Sequence, residues 1–238
     1  MLMDAVVLAG GRSSRLAGAA KAHLVYRGTT LLERAIAAAF AADARRVAVV
    51  GAMDGDGEPA APARHFSSIR PDAGRLLFTR EEPPFGGPAA GIAAGIAALD
   101  GTDPSGIDRP ESAATEAEGD ASARLLLVLA CDLPHVARAV PALTTALPLP
   151  AGTDGVMLID DDQCAQPLTA IYRRSALDAA AAARRARGEL DGLSVRALIG
   201  ALNLATVAAP AGSTDDIDTP ADAMRFDIAL HAPVGTKH

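Results

Sequence analysis

Residues 5–21 read AVVLAGGRSSRLAGAAK and contain the clearest structural signal in the chain. The run from Ala5 to Leu8 is apolar, too short for a helix and closed by glycines, so it predicts a buried strand. A helix should follow from Thr30, because Thr30 and Glu33 form a capping box ahead of apolar residues at helical spacing. A second strand is predicted at 47–51 and a third at 76–79. This order predicts right-handed crossovers and a mainly parallel sheet.

The remaining chain continues the same alternation. A turn at 86–88 precedes a predicted helix at 91–99, in which we attribute Gly95 to tight packing on the sheet. Residues 125–130 (LLLVLA) are the most hydrophobic run and predict a central strand. Further strands are expected at 155–159 and 168–172, and further helices at 175–187, from Ser194 to Ala201 and from Thr219. We therefore predict one α/β domain spanning residues 1–238, a Rossmann-like three-layer α/β/α fold.

Composition excludes several classes of protein. The chain has 238 residues with a net charge of −7, which argues against binding to a nucleic-acid backbone. Its two cysteines lie far apart, so a disulfide framework and a cysteine-rich zinc site are excluded. No apolar run reaches membrane-spanning length, and the N-terminus lacks the pattern of a signal peptide. We expect a soluble, cytoplasmic protein without membrane contact.

Residues 100–123 differ abruptly from the rest of the chain. They contain seven acidic residues and one arginine and lack an apolar period, so we predict a mobile acidic loop inserted into the domain. The insertion carries −6 of the net charge of −7. The remaining chain is therefore nearly neutral, and the overall acidity says little about the ligand.

The stretch after the first strand is basic and free of acids. Backbone N–H groups of residues 9–11 can approach a phosphate chain, and Arg12, Arg15, Lys21 and Arg27 add four positive charges. The spacing is neither that of a Walker A loop nor that of the dinucleotide fingerprint. An ordinary glycine turn with solvated arginines is the alternative. The cationic pattern favours an anionic ligand.

Carboxylates follow later elements. Asp132 comes directly after the central strand, where ligands gather in open parallel sheets, and it could hold Mg²⁺ against phosphate oxygens. Four oxygen-bearing side chains at 215–219 precede the last helix and offer a second ligand. Taken alone, Asp132 is better explained as a cap of the following helix, and capping by Thr219 or Asp218 is the alternative for the second group. Small residues at 86–91 permit close approach of a flat ring or a phosphate, although tight helix packing is the alternative.

No nucleophile stands out in the chain. The five histidines show no paired-ligand spacing, no GxSxG motif is present, and we regard His135 as structural. No serine or cysteine is therefore predicted to act as a nucleophile.

Taken together, these segments resemble the molybdenum cofactor guanylyltransferases (MobA-like) of the glycosyltransferase-A-like nucleotidyltransferase superfamily. The opening LAGGxSxRMGxxK motif of the family appears at 8–21, GPLAGI at 87–92 and the strand-end DxP at 132–134. The QPL-ALYR stretch matches 166–173 and [DN]-x-[DN]TPxD matches 216–222. The resemblance implies a fold of the nucleotide-diphospho-sugar transferase type and leaves residues 100–122 unmatched.

The resemblance also implies an activity. It implies Mg²⁺-dependent transfer of GMP from GTP to the terminal phosphate of Mo-molybdopterin, with release of pyrophosphate. The pterin would arrive from a molybdenum-insertion protein. The implied catalytic residues are Arg15, Lys21 and Asp132, and Mg²⁺ would lie on Asp132 and Asp218. The implied nucleotide-binding residues are Leu8, Ala9, Gly10, Gly11, Arg12, Ser13, Lys21, Glu82, Gly87 and Asp132.

Some features leave the specificity open. Glu82 occupies the position of an acid near the nucleobase, but Glu81 is equally placed. Ala17 and Ala20 replace a glycine and an acid of the family motif, which bears on efficiency and substrate preference. The alternatives are a related enzyme, using CTP on the same pterin or another nucleotide on a sugar or small phosphate, and a nucleotide-binding protein without turnover.

Overall fold

A computed structural model describes residues 2–10, 16, 20–51, 75–101 and 124–230. Its strands, in chain order, are β1 Leu2–Leu8, β2 Val25–Tyr26, β3 Thr29–Thr30, β4 Val47–Val50, β5 Leu76–Thr79, β6 Arg124–Ala130, β7 Gly155–Ile159, β8 Ala165–Arg173 and β9 Leu204–Ala208. Seven of them form one sheet in the order β5-β4-β1-β6-β8-β7-β9. The other two, β2 and β3, form a separate hairpin.

The large sheet is mainly parallel, as predicted. Only β8 runs antiparallel to its neighbours β6 and β7. The connection from β7 to β8 is too short for a crossover and allows only an antiparallel return. Leu8 pairs with Val50 on one side and with Ala130 on the other, so the carboxyl ends of β1, β4 and β6 are level. This edge of the sheet carries the candidate site.

The helices are α1 Leu31–Ala41, α2 Gly87–Asp100, α3 Val136–Thr144, α4 Arg174–Arg185, α5 Val195–Leu198 and α6 Pro220–Arg225. They cover both faces of the sheet. Alternate residues of β1 enter two separate cores, Val7 with α1 and α3, and Val6 with α2 and α4. The predicted three-layer α/β/α architecture is confirmed.

Most predicted elements are present, with shifted ends. Both hydrogen bonds of the predicted capping box of α1 are formed, since Thr30 Oγ1 accepts from the Glu33 N–H at 3.1 Å and the Glu33 carboxylate accepts from the Thr30 N–H at 2.7 Å. Helix α2 begins at Gly87, four residues earlier than predicted, because Pro88 fits the first turn of a helix. Helix α4 ends at Arg185 and α5 at Leu198, earlier than predicted. Edge strand β9 was not predicted, because it is partly exposed and has a weak apolar pattern.

Gly95 allows α2 to pack closely on the sheet. A Cβ atom at this position would lie 2.7 Å from Cγ1 and 2.8 Å from Cγ2 of Val6. These separations are far below van der Waals contact, so any larger side chain would push α2 away from β1. The packing interpretation of Gly95 is therefore confirmed.

The predicted acidic insertion falls almost wholly outside the described residues. Its first residue, Asp100, is the last residue of α2 and forms an ion pair with Arg174 at 2.9 Å. The helix is then closed by Gly101 at a φ of +73°. Within the described ranges, no helix has the length and apolarity needed to cross a membrane.

Candidate active site

A cavity of about 560 Å³ opens at the carboxyl ends of the central strands. Its walls come from the ends of β1, β4 and β6, from the start of α2, and from Lys21 on the 3₁₀ helix Lys21–His23. The described residues that line it are Leu8, Ala9, Gly10, Ala20, Lys21, Val50, Glu81, Phe85, Gly87, Pro88, Gly91, Ala130, Cys131, Asp132 and Leu168.

Lys21 connects two carboxylates at the wall of this cavity. Its Nζ donates to Oδ2 of Asp132 at 2.8 Å and also to Oδ1 of Asp218. Only 25% of the Lys21 side chain and 19% of the Asp132 side chain are exposed. These charges therefore interact in partly desolvated surroundings, where Coulomb attraction is stronger than on an open surface.

The segment that carries Asp218 is bound to the end of β6 by its backbone. The Ile217 N–H donates to the carbonyl oxygen of Asp132 at 3.1 Å. The Ile217 side chain is fully buried in a small core that also contains Leu16 and Tyr26. Flanking Asp216 and Asp218 both lie beside Asp132, and ligand oxygens of the three carboxylates lie within 4.8 Å of one another.

The charges in this cluster shift two pKa values. Burial alone would lower the pKa of Lys21, but the charge of Asp132 and its hydrogen bonds to Asp132 and Asp218 outweigh burial and raise it. The pKa of Asp216 is raised by burial and then by the charges of Asp218 and Asp132, against the opposing effect of Lys21. Lys21 therefore remains a cation. A further positive charge among the carboxylates would favour the ionised form of Asp216.

Helix capping does not explain these carboxylates. The N-cap of α3 is His135, not Asp132. Thr219 caps α6, and its hydroxyl accepts from the Asp222 N–H at 3.2 Å in a capping box. Asp132 and Asp218 are thus available for binding a cation. Three carboxylates within 4.8 Å form a donor set that suits Mg²⁺, which prefers oxygen ligands.

The glycine pair after β1 has a packing role at its first member. Gly51, at a φ of +92°, follows β4 and lies against Gly10, and a Cβ on Gly51 would lie 2.5 Å from the Gly10 Cα. The Ala9 N–H donates to the carbonyl oxygen of Val50 at 2.8 Å. The ends of β1 and β4 are thereby held in close contact, and Gly10 lines the cavity.

Two acidic residues after β5 differ in whether they reach the main cavity. Glu81 lines the main cavity, and its Oε1 accepts from the Phe85 N–H at 3.1 Å. Glu82 does not line the main cavity but, together with Glu81, lines a separate cavity of about 220 Å³ between α2 and the turn after α4. Phe85 lies at the mouth of the main cavity, 60% exposed and at a φ of +66°. Aromatic residues rarely adopt such a backbone conformation.

The structure brings together most of the described residues that the sequence singled out. Six of them line the main cavity, namely Leu8, Ala9, Gly10, Lys21, Gly87 and Asp132. Asp218 joins them through Lys21. Glu82 does not reach this cavity. The predictions for Gly11, Arg12, Ser13 and Arg15 lie outside the described residues.

Sequence reasoning missed three residues of the site. Asp216 was not separated from its neighbours, although alternation around buried Ile217 distinguishes Asp216 and Asp218 from Asp215, which pairs with Arg225. Gly51 was recognised only as the end of a strand. Phe85 carries no sequence signal, because its exposure depends on the turn that holds it.

Cys131 lies in the cavity wall without the character of a nucleophile. It is buried, and burial followed by the charge of Asp132 raises its pKa, whereas Lys21 opposes that shift. A thiol in such surroundings stays protonated and unreactive. The prediction that the chemistry lacks a cysteine nucleophile is consistent with this environment.

Known structures share this fold. The Rv0371c protein of Mycobacterium tuberculosis H37Rv is 20% identical with a TM-score of 0.58, covering 94% of this chain and 97% of its own. The 2-C-methyl-D-erythritol 4-phosphate cytidylyltransferase (IspD) of Francisella tularensis is 11% identical with a TM-score of 0.62, covering 95% and 99%. A nucleotidyl transferase (Mth528) of Methanothermobacter is 18% identical with a TM-score of 0.58, covering 94% and 95%. At these identities the likeness concerns the fold alone.

Sequence comparison identifies the family directly. No curated protein matches the chain significantly. Residues 5–204 match the family described as the MobA-like NTP transferase domain, which is most of the chain and includes β1, the Lys21 segment and the end of β6. The chain therefore belongs to the MobA-like NTP transferase family of nucleotidyltransferases.

Proposed function

We propose that this protein transfers GMP from GTP to the terminal phosphate of Mo-molybdopterin. The observation that carries the proposal is the cluster of Lys21 with Asp132, Asp216 and Asp218 at the wall of a cavity in a MobA-like NTP transferase fold. An oxygen of the acceptor phosphate forms a bond to the α-phosphorus of GTP. The bond from the α-phosphorus to the bridging oxygen breaks, and pyrophosphate leaves with that oxygen.

The residues at the strand ends around the cavity would orient the nucleotide. In this proposal the backbone of Ala9 and Gly10 faces the phosphate chain, and the Lys21 ammonium, held positive by its carboxylate partners, neutralises charge on the departing pyrophosphate. Arg15 and the backbone and side chains of residues 11–13 complete the phosphate site. Such electrostatic positioning is the main source of rate in phosphoryl transfer.

A divalent cation fits the carboxylate cluster. Asp132, Asp216 and Asp218 would hold Mg²⁺, which would supply positive charge against the phosphate oxygens. Asp216 joins Asp132 and Asp218 of the sequence prediction because its oxygen lies within the same 4.8 Å group.

We assign guanine recognition to Glu81. The Glu81 carboxylate lines the main cavity, whereas Glu82 does not. A carboxylate accepts hydrogen bonds from both N1–H and the 2-amino group of guanine, which adenine cannot supply together. A site built for such donors discriminates strongly against bases that lack them.

Pyrophosphate release tests the proposal. Purified protein is incubated with Mg²⁺, molybdopterin and one of GTP, CTP, ATP or UTP, and we expect release with GTP. Glu81→Gln should lose the preference for GTP, whereas Glu82→Gln, the matched control, should retain it. Release with CTP in place of GTP would refute the guanine assignment.

A cytidylyltransferase is the second candidate. It is favoured by the fold shared with the cytidylyltransferase of Francisella tularensis. Thermal-shift titration with the four nucleotides and Mg²⁺ separates the two, since a preference for CTP favours this candidate. Nucleotide binding without pyrophosphate release across a panel of acceptors would instead indicate a non-catalytic nucleotide-binding protein.

A further inference from the structure

A second cavity of about 430 Å³ adjoins the segment that carries Asp216 and Asp218, since Arg225 in its lining pairs with Asp215, and it has no role in the nucleotide site described above. Its lining residues are Tyr26, Arg27, His135, Arg225, Phe226 and Asp227. They belong to the three segments that supply the cluster, since Tyr26 follows Lys21 by five residues, His135 follows Asp132 by three, and Phe226 follows Asp218 by eight. The same local structure therefore supports both sites.

Three aromatic rings form one wall of this second cavity. The ring centroids of Tyr26 and His135 are 5.6 Å apart, those of Tyr26 and Phe226 5.9 Å, and those of His135 and Phe226 5.6 Å. All three pairs meet edge to face, which is a favourable arrangement of aromatic rings. His135 and Phe226 remain half-buried. Their rings offer a flat ligand an apolar surface with specific geometry.

Arginines make the surroundings of these rings positive. Arg27 lies over the Tyr26 ring at 5.1 Å, and Arg34 lies 4.9 Å from the same ring. Arg225 pairs with Asp215 and Asp227 adds one negative charge to the lining, but Arg27 forms no ion pair with any part of the chain that the structure describes. The pKa of His135 is lowered by burial and then by the charges of Arg138, Arg27 and Arg34, so His135 stays neutral among cations. Such a pocket attracts anions.

The backbone conformation of Arg27 is unfavourable for an arginine. Arg27 and Gly28 are the two central residues of the β2–β3 hairpin, with φ angles of +50° and +83°. Positive φ at both positions is typical of a type I′ turn, where asparagine, aspartate or glycine is strongly preferred. Arginine is strained there, and strained residues cluster at ligand-binding sites.

We propose that this second cavity binds the acceptor substrate, and that the acceptor is an anion that carries a planar ring. The proposal rests on the proposed function, because it places the acceptor beside the group that it attacks. Arg27 binds the negative charge, and the rings of Phe226 and His135 contact the planar part. The acceptor thereby lies beside the segments that supply the carboxylate cluster.

Arg27→Asn tests the proposal without endangering the fold. Asparagine is favoured in a type I′ turn, so the variant should be at least as stable as the wild type while lacking the cation. With GTP saturating, we expect the KM for molybdopterin to rise about tenfold, as for a lost hydrogen bond to a charged group. The KM for GTP should not change. Phe226→Leu, which keeps apolar packing, should also raise the acceptor KM.

Arg187→Asn is the matched control, since Arg187 is an exposed arginine on the far side of the fold, paired with Glu189 at 3.2 Å. It should leave both KM values unchanged. An unaltered acceptor KM in Arg27→Asn, with wild-type turnover, overturns the acceptor site and leaves the proposed function intact.

Phenyl phosphate provides a readout that does not depend on the proposed function. Ligand-observed NMR should show that it binds the wild type more tightly than glycerol phosphate or inorganic phosphate does, and that Arg27→Asn and Phe226→Leu weaken it. Equal binding in the variants, or no preference for the aromatic phosphate, contradicts the proposal. If molybdopterin gives no product yet phenyl phosphate binds as expected, the proposed function fails and the acceptor site stands.

Discussion

Lys21 balances the charge of the site. Three carboxylates within 4.8 Å repel one another, and the Lys21 ammonium is the cation that the described structure places among them. The cluster therefore explains why an acid-free stretch ends in a lysine that points towards acids.

Replacing either end of the Lys21–Asp132 pair should nearly abolish transfer. Lys21→Ala and Asp132→Ala should each lower turnover about 10³-fold, by analogy with cations that act on the transition state of phosphoryl transfer. Pyrophosphate release with GTP, Mg²⁺ and molybdopterin measures the effect, and circular dichroism confirms that each variant folds. Turnover near that of the wild type would remove both residues from the mechanism.

Asp216, the carboxylate that the sequence analysis did not single out, should affect the Mg²⁺ requirement. Asp216→Asn removes one of three charged ligands, so about tenfold more Mg²⁺ should be needed for half-maximal turnover. Its neighbour Asp215 pairs with Arg225 and lies outside the carboxylate group, so Asp215→Asn is a matched control. Equal Mg²⁺ curves for the two variants would exclude Asp216 as a ligand.

At the scale of elements, the strand and helix ends were easier to predict where local chemistry sets them. The capping box at Thr30 and the start of α6 after Thr219 were predicted, because each is set by residues at most three positions apart. The predicted start of α2 was four residues too late, because the preference of proline for the first turn of a helix was not applied to Pro88. Edge strand β9 and the contact of Gly51 with Gly10 depend on distant partners, which no local pattern reveals.

The contact between α2 and β1 should be sensitive to a single methyl group. Gly95→Ala introduces a Cβ 2.7 Å from Val6, and the resulting overpacking should exceed the helix-propensity gain of alanine, with a net loss of about 1–2 kcal/mol. Urea denaturation measures the change. Gly200→Ala, whose added Cβ would lie 3.4 Å from its nearest neighbour, should change the free energy of unfolding far less. Equal stability of Gly95→Ala and wild type would contradict the packing account.

At the scale of the molecule, strand order places the site. From β1 the sheet extends through β4 and β5 on one side and through β6 on the other, so the order reverses between β1 and β6. Ligands of open α/β sheets bind at such a switch point, outside the carboxyl ends of the strands. Ala9, Gly10 and Asp132 lie within two residues of the ends of these strands, which is why the two apolar runs and the residues just after them sufficed to predict this half of the site.

The other half of the site depends on segments distant in sequence. Asp218 reaches Asp132 only because a single backbone hydrogen bond from Ile217 and a buried side chain attach the late segment to the end of β6. Family resemblance indicated Asp218, but spacing alone left helix capping equally good. The place of Glu81 in the main cavity, and of Glu82 outside it, follows from the turn that contains Phe85.

Transfer of the labelled α-phosphate of GTP to molybdopterin tests the central claim most directly. With Mg²⁺, the wild-type protein should form a labelled guanine dinucleotide of the pterin and release unlabelled pyrophosphate in equal amounts. Asp132→Ala should bind molybdopterin and form almost no labelled product. Absence of labelled dinucleotide from the wild-type reaction, or equal product from Asp132→Ala, would contradict the account.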